Sequence, residues 1–568
     1  MTAQAEYEMM MNSSVSPCED FYLHTCQGWI QASSISYEEY LKDKTLRDLN
    51  DTLYHTQLGR NHPSWNMVTF YRSCYDFHRI SVPLHAVVAK SIESLGMSLQ
   101  GMLSQAKKSI VQIAPGLSVH RKLGFSKEAN VYIKKVMTYT DYSIFNDTIT
   151  ARLMWYDMVT EGLQQESEKS DRNTVKVVPV VQLPEVEDKL SWIDWRNAIN
   201  GNMNTTWKLG EFDIVQVVAL DQMTQMTKTF FDEDRKLVAL YMFIQAVVEL
   251  LKFDFARDYN PHETCIRTTY DNFPGMVLNS AAIMLTRESG HLITILNGIR
   301  EQVISEVSSA EWLDETTRPK AETKLKAVKI DILQYKESLG QTGAPDMGPD
   351  FLHNFVAMRG YNKDISVRFP HATESAEDSP LFRDYRYSSI ENTVFLPSYI
   401  MTLPSFVKEE QDDFINYATI GSRLAALLSL AISESGSHVD PTGLQLDWWS
   451  KKTQELYNES VACYVEHYLD KVDFQNPVSA DVRDALYASA RGLAVALSMA
   501  TLVDSRAEML FFGRYCQQFC LRDFDKKPSP LPSRHLCEFS VVNQPKFFKT
   551  YGCGHLTRIG SFQNCEIM

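Results

Sequence analysis

Ser16-Pro17-Cys18-Glu19-Asp20-Phe21-Tyr22, running on to Cys26-Gln27-Gly28-Trp29, holds the first two of ten cysteines. The others stand at 74, 265, 463, 516, 520, 537, 553 and 565, so six of the ten follow residue 460. The count is even, no CxxC pair occurs, and no Cys/His spacing suits a zinc finger. Five N-x-S/T acceptors accompany them, at Asn12, Asn50, Asn146, Asn204 and Asn458. Even cysteines and glycosylation acceptors together point to an oxidising, extracellular compartment. Met1 to Pro17 carries Glu6 and Glu8 and no apolar run, so it does not read as a signal peptide. The expectation is a chain truncated at its start, or one released from a longer precursor.

The 568 residues (65.0 kDa) exceed what one hydrophobic core organises, so two or more lobes are expected. With 44% hydrophobic and 22% charged residues the chain is globular rather than disordered, collagen-like or coiled-coil. A net charge of −15 repels phosphate backbones and excludes nucleic acid as the main partner. The basic run from Arg318 to Lys329 is interleaved with Ala, Leu and Glu and reads as a solvated helix face. The longest apolar stretch, Leu237 to Leu251, includes Gln245 and Glu249 and is shorter than the ~20 apolar residues a membrane span needs. No membrane span is expected.

Helical periodicity dominates. Ser308-x-x-Glu311 has the form of a capping box opening a helix toward Ile330, with Trp312, Leu325 and Val328 on its apolar face. Leu237–Phe253 and Ala485–Val503 read as core helices. Val175–Leu183 reads as a strand, placed at a sheet edge by Pro179, and Thr393–Leu396 as another. Gly340–Asp350 and Ala372–Ser379 read as loops, and Pro-rich Lys526–Ser533 as a surface loop. The expected division is an N-terminal helical lobe over 16–340, a connecting segment over 341–382, and a C-terminal lobe over 383–568.

The opening stretch resembles that of the neprilysin and endothelin-converting family of zinc metallopeptidases. So do Phe70-Tyr-Arg-Ser-Cys74, Glu311-Trp-Leu-Asp-Glu-Thr-Thr-Arg318 with Lys320-Ala321, Asn416-Tyr417 with Ile420-Gly421, and Asp447-Trp448-Trp449. Leu510-Phe511-Phe512 is followed eight residues later by Cys520, and Cys565 is fourth from the end. These phrases are co-linear over nearly the whole chain. The resemblance implies a mainly α, two-lobed ectodomain enclosing a central cavity, with small β elements and a thermolysin-like C-terminal lobe. Family members cleave short peptides there with zinc, and are usually anchored in a membrane. The resemblance also pairs Cys18 with Cys553, Cys26 with Cys520, Cys74 with Cys265, and Cys463 with Cys565. It leaves Cys516 and Cys537 available for a fifth bridge. Each bridge is worth roughly 2–4 kcal/mol.

A family peptidase needs His-Glu-x-x-His on one helix face, a Glu ligand from a later Glu-x-x-x-Asp, and a Glu base beside the first His. No HExxH occurs here. By resemblance the two His positions fall on Ala426 and Leu430, and the catalytic Glu on Leu427. The third ligand falls on Ala485 and its Asp on Ser489; a four-residue shift gives Ser489 and Leu493. The transition-state histidine falls on Pro530, the nearby arginine on Leu536, and the substrate-gripping Asn-Ala pair on Asp384-Tyr385. Leu427 and Leu430 are expected to be buried, filling the former polar site. Hydrocarbon offers a metal no electron pair, so no catalytic residue, metal ligand or cofactor is expected; the family cofactor would be zinc.

The remaining candidates are thin. Glu434, His438 and Asp440 have a spacing that could hold a metal, but Gly436 and Pro441 argue for a turn. Glu466 and His467 are neighbours that point apart on a helix, and His535 reads as a surface-loop residue. There is no Gly-x-Ser-x-Gly elbow and no phosphate-binding loop. Asp447-Trp448-Trp449 reads as a core anchor. The function expected is that of a family homologue without peptidase activity that binds peptides or an extracellular protein, or acts as a decoy. The alternative is an active zinc metalloendopeptidase using other ligands.

Overall fold

The computed structural model describes residues 3–77, 175–186, 190–202, 208–218, 220–232, 260–285, 289–333, 344–368, 379–402, 406–407, 409–469, 478–521, 531–554 and 565. Expectations for Leu237–Phe253, Asn146, Asn204, most of Ala372–Ser379 and Pro530 lie outside these residues. The described chain is mainly helical with two small sheets. In chain order the elements are α1 (Ala3–Met10), α2 (Phe21–Ala32), α3 (Tyr37–His55), α4 (Trp65–Phe77), β1 (Val175–Pro179), α5 (Trp192–Asn202), β2 (Ile214–Val218) and α6 (Leu220–Asp232). Then come α7 (Pro261–Asn272), α8 (Pro274–Leu285), α9 (Ser289–Ser309), α10 (Arg318–Ala327), β3 (Lys329–Asp331), α11 (Phe351–Arg368), β4 (Arg386–Ser388) and β5 (Thr393–Phe395). The last are α12 (Ser422–Leu430), α13 (Lys451–Leu469), α14 (Ala480–Met499), α15 (Ser505–Gln517), α16 (Ser533–Val542) and α17 (Pro545–Tyr551).

Contacts gather these elements into two compact units that do not follow chain order. One comprises residues 1–58, 266–340 and 374–568; the other comprises 59–265 and 341–373. In the larger unit the first helices are tied to the last ones. The Asp20 side chain accepts the Leu23 N–H and caps α2, and a Ser36/Glu39 capping box starts α3. Gly28 of α2 lies against the backbone of Met9 and Met10, where a Cβ would come within 2.6 Å of the Met9 carbonyl oxygen. Tyr22 donates its hydroxyl to the Phe519 carbonyl at 3.2 Å and the Leu521 carbonyl at 3.0 Å. The bridges Cys18–Cys553, Cys26–Cys520, Cys463–Cys565 and Cys516–Cys537 all lie in this unit, and no free cysteine remains.

The same unit holds a three-stranded sheet of order β3-β5-β4. Here β3 and β5 are parallel, β5 and β4 antiparallel, and β4 is at the edge. Asn392 turns the chain into β5 with a φ of 45°, a conformation asparagine tolerates. Its side chain accepts from the Tyr387 hydroxyl at 2.9 Å.

The smaller unit contains α4, α11 and the antiparallel pair β1–β2. The Phe70 and Phe351 rings meet edge-on at 5.7 Å, and Asn354 donates to Ser73 Oγ at 2.9 Å. Cys74–Cys265 closes this unit. A separate apolar cluster of Val180, Leu183, Val186, Leu190, Trp195 and Leu209 forms its second core.

Three readings change. Ser308-x-x-Glu311 does not open a helix: α9 ends at Ser309, and the Ser308 hydroxyl donates back to the Ile304 carbonyl. The next helix starts at Arg318, where Pro319 suits the first turn and Asp314 collects the N–H groups of Thr316 and Thr317. The Val175–Leu183 strand stops at Pro179 and passes into a 3-10 turn over Val180–Gln182. His535 lies on α16, with its ring 5.8 Å from that of Tyr468, and not in a surface loop.

Candidate functional site

The helices α12 and α14 pack together. Two contacts set their direction. Gly492 of α14 abuts the backbone of Ser422 and Ala426, and Asp484 of α14 accepts from Ser433 Oγ at 2.7 Å and the Ser435 N–H at 2.9 Å. Higher numbers on one helix therefore meet lower numbers on the other, and the pair is antiparallel. That alignment brings Ala485 and Ser489 alongside the segment that contains Ala426, Leu427 and Leu430.

The face of α12 follows the helical period. Leu424, Ala425, Leu428 and Ser429 are buried, while Arg423, Ala426, Leu427 and Leu430 form a half-exposed stripe. Each buried leucine contributes roughly 1.5–3 kcal/mol. The expectation that Leu427 and Leu430 are buried as filling is thus corrected. Leu424 and Leu428 anchor the helix, and Leu427 and Leu430 keep an accessible apolar surface. On α14, Ala485 and Ser489 are likewise half-buried, one turn apart.

This stripe does not fit zinc. Structural and catalytic zinc sites take at least three protein nitrogen, sulfur or carboxylate donors, and Ala426, Leu430 and Ala485 supply none. No group of three or more His, Cys, Asp and Glu suited to a metal occurs among the described residues. The Glu434, His438 and Asp440 set disperses. Glu434 pairs with Arg483 at 2.6 Å, His438 with Asp447 at 2.6 Å, and Asp440 accepts from Thr442 and Leu444 of its own turn. Glu466 is exposed on α13, and Leu536 is half-buried on α16. Trp448 is buried and donates to the Gly436 carbonyl, and Trp449 packs its ring 4.9 Å from Tyr457. These two tryptophans anchor the core.

Three polar features were missed in the sequence. Asp484, buried beside Ala485, also accepts the Tyr457 hydroxyl at 2.6 Å; burial, and after it this carboxylate, holds that phenol well above its ordinary range. Lys324 is buried and donates to the carbonyls of Gly436 (2.5 Å) and Val439 (2.6 Å) under the Trp448 ring; desolvation lowers its pKa to about 8. Arg423, on the accessible stripe, binds Glu38 Oε1 at 2.7 Å and Gln518 Oε1 at 3.3 Å. Its guanidinium lies 4.3 Å from the Phe519 ring centroid and 5.4 Å from that of Tyr385. Desolvation raises the Glu38 carboxyl against the opposing pull of Arg423. Asp384 is exposed, and Tyr385, just ahead of β4, is half-buried with its phenol raised by desolvation. A lone Arg in an apolar helix was the only sequence signal for this cluster.

Residues 385–531 match peptidase family M13. The chain is 21% identical to endothelin-converting enzyme 1 of Bos taurus over 549 residues, covering 81% of this chain and 71% of that enzyme. It is 20% identical to neprilysin-1 of Trittame loki over 683 aligned positions, covering 98% and 93% of the two chains. The fold is similar to that of PepO from Lactobacillus rhamnosis, with a TM-score of 0.69, 13% identity, and 97% and 99% of the chains covered.

Proposed function

We propose that this chain, which carries a peptidase family M13 domain and is homologous to endothelin-converting enzyme and neprilysin, is a peptide-binding member of that family without peptidase activity. One observation carries the reading. Where α12 and α14 run side by side, Ala426, Leu427, Leu430 and Ala485 present hydrocarbon in place of metal donors and a general base. Without a bound cation no water is activated for attack on an amide. The edge strand β4 beside α12 supports peptide capture, because an extended peptide adds to a sheet edge through its main chain. The matched residues 385–531 fall within the proposed C-terminal lobe, 383–568.

An extracellular setting completes the reading. Five disulfides suit an oxidising compartment, and Asn458 stands exposed on α13 as a glycan acceptor. No helix among the described residues is long and apolar enough to cross a membrane.

Elemental analysis of the intact folded protein, joined to an assay with internally quenched peptides, tests the proposal. The expected result is no stoichiometric zinc and no chelator-sensitive cleavage at any zinc concentration. Zinc at one per chain with chelator-sensitive cleavage would establish the other reading, an active metalloendopeptidase with different ligands.

A further inference from the structure

The accessible stripe of α12 ends in a charge that the fold only half satisfies. Arg423 uses Nη2 on Glu38 and Nε on Gln518, and Nη1 makes no hydrogen bond among the described residues. The Arg423 side chain is 21% accessible and that of Glu38 34%, so the open edge of the guanidinium can be reached. The Phe519 and Tyr385 rings hold the guanidinium plane in place, which reduces the ordering that binding would require. An arginine fork with a free edge is a receptor for a second carboxylate.

Spacing defines the ligand further. Arg423 and Leu427 lie one turn apart on the same face, about 6 Å along the helix axis. Side chains i and i+2 of an extended peptide point to one face, about 6.6–6.8 Å apart. We propose that the stripe from Arg423 to Leu430 recognises an extended peptide segment in which an apolar residue and an acidic residue are separated by one position. The apolar side chain lies on Ala426, Leu427 and Leu430, and the acidic side chain meets Arg423. The carboxylate comes from a side chain because only a side chain leaves the peptide on the same face as the apolar contact. This inference rests on the peptide-binding reading above and adds the ligand's chemistry.

Fluorescence anisotropy on the intact protein tests it with three fluorescein-labelled probes. These are Ala-Leu-Ala-Glu-Ala amide, Ala-Leu-Ala-Gln-Ala amide, and Ala-Leu-Ala-Gln-Ala with a free C-terminal acid. The Glu probe is expected to bind about tenfold more tightly than either Gln probe, the gain typical of one charge-assisted contact. Arg423→Gln should abolish the preference. Glu38→Gln, which removes the competing carboxylate, should increase it, and this variant decides the matter if Arg423→Gln melts early. Leu427→Asp should weaken all three probes. Equal binding of Glu and Gln amides, or a preference that survives Arg423→Gln, overturns the inference and leaves peptide binding standing. Tight binding of the free-acid Gln probe also overturns it, since the chain terminus would then be the ligand. Absence of binding by every probe overturns both the inference and the peptide-binding function.

Discussion

Gly492 and Ala426 touch backbone to backbone: a Cβ on Gly492 would sit 2.7 Å from the Ala426 nitrogen and 2.9 Å from its Cβ. The two helices are thereby held at closest approach by the absence of a side chain. Alanine favours a helix interior over glycine by about 1 kcal/mol. The clash here is with main-chain atoms that cannot rotate aside, and overpacking of this kind costs about 1–3 kcal/mol. The clash wins. Gly492→Ala should lower the urea midpoint without changing the slope, whereas an unchanged or raised midpoint would show that the helices separate freely.

Asp484 joins α14 to the chain after α12 and to α13 through three donors: Ser433 Oγ, the Ser435 N–H and the Tyr457 hydroxyl. Asp484→Ala strands the buried Tyr457 hydroxyl while the exposed Ser435 N–H can turn to water, so the loss should be about 1–3 kcal/mol, the cost of one buried unpaired donor. Tyr457→Phe removes one donor and leaves the carboxylate with two, so its effect should be the smaller. Denaturant unfolding of both variants checks the order.

Lys324 gives a stability that depends on pH. Its folded pKa of about 8 lies below the ordinary 10.5, so between these values the unfolded chain holds a proton that the folded chain has released. Stability then rises with pH through this window. The neutral amine keeps two N–H groups, enough for the Gly436 and Val439 carbonyls. Wild-type protein should therefore gain stability relative to Lys324→Met between pH 8 and 10.5, as read from paired melting curves. Parallel curves would show that the buried amine stays charged.

Two imidazoles alone should not confer peptidase activity. Ala426→His with Leu430→His leaves Leu427 in place of a base and Ala485 in place of a third ligand. The double variant is expected to cleave no quenched peptide with zinc present. Zinc-dependent cleavage would mean that the ligand positions on α12 and α14 have been misplaced.

The glycan acceptors differ in access. Asn458 is exposed on α13, while Asn50 is buried on α3 with its amide donating to Asp51 Oδ1. In protein secreted from eukaryotic cells, Asn458→Gln should remove the mass of one glycan and Asn50→Gln none, by intact mass before and after deglycosylation.

What could be read from the residues alone was local or carried by the family phrases. The apolar run Ala485–Val503 marked α14, and its true start at Ala480 is set by the Ser479 cap. Thr393–Leu396 gave β5 almost to the residue. The false capping box at Ser308 has the correct letters at the wrong end of a helix, a distinction that only the Ile304 carbonyl makes. Residues 1–58 share a compact unit with the C-terminal third, a grouping that leaves no periodic trace in the sequence. Arg423 and Glu38 are 385 positions apart, so neither foretold the other. Leu427 and Leu430 looked like core on hydropathy, and only the packing of α12 turned them toward solvent.

Cys18 and Cys26 find their partners at Cys553 and Cys520. During synthesis these thiols must wait, reduced or mispaired, until almost all the polypeptide has emerged. A stop codon anywhere before position 520 would not produce a shorter version of the larger unit; it would leave at least Cys18 and Cys26 without the thiols that close their bridges.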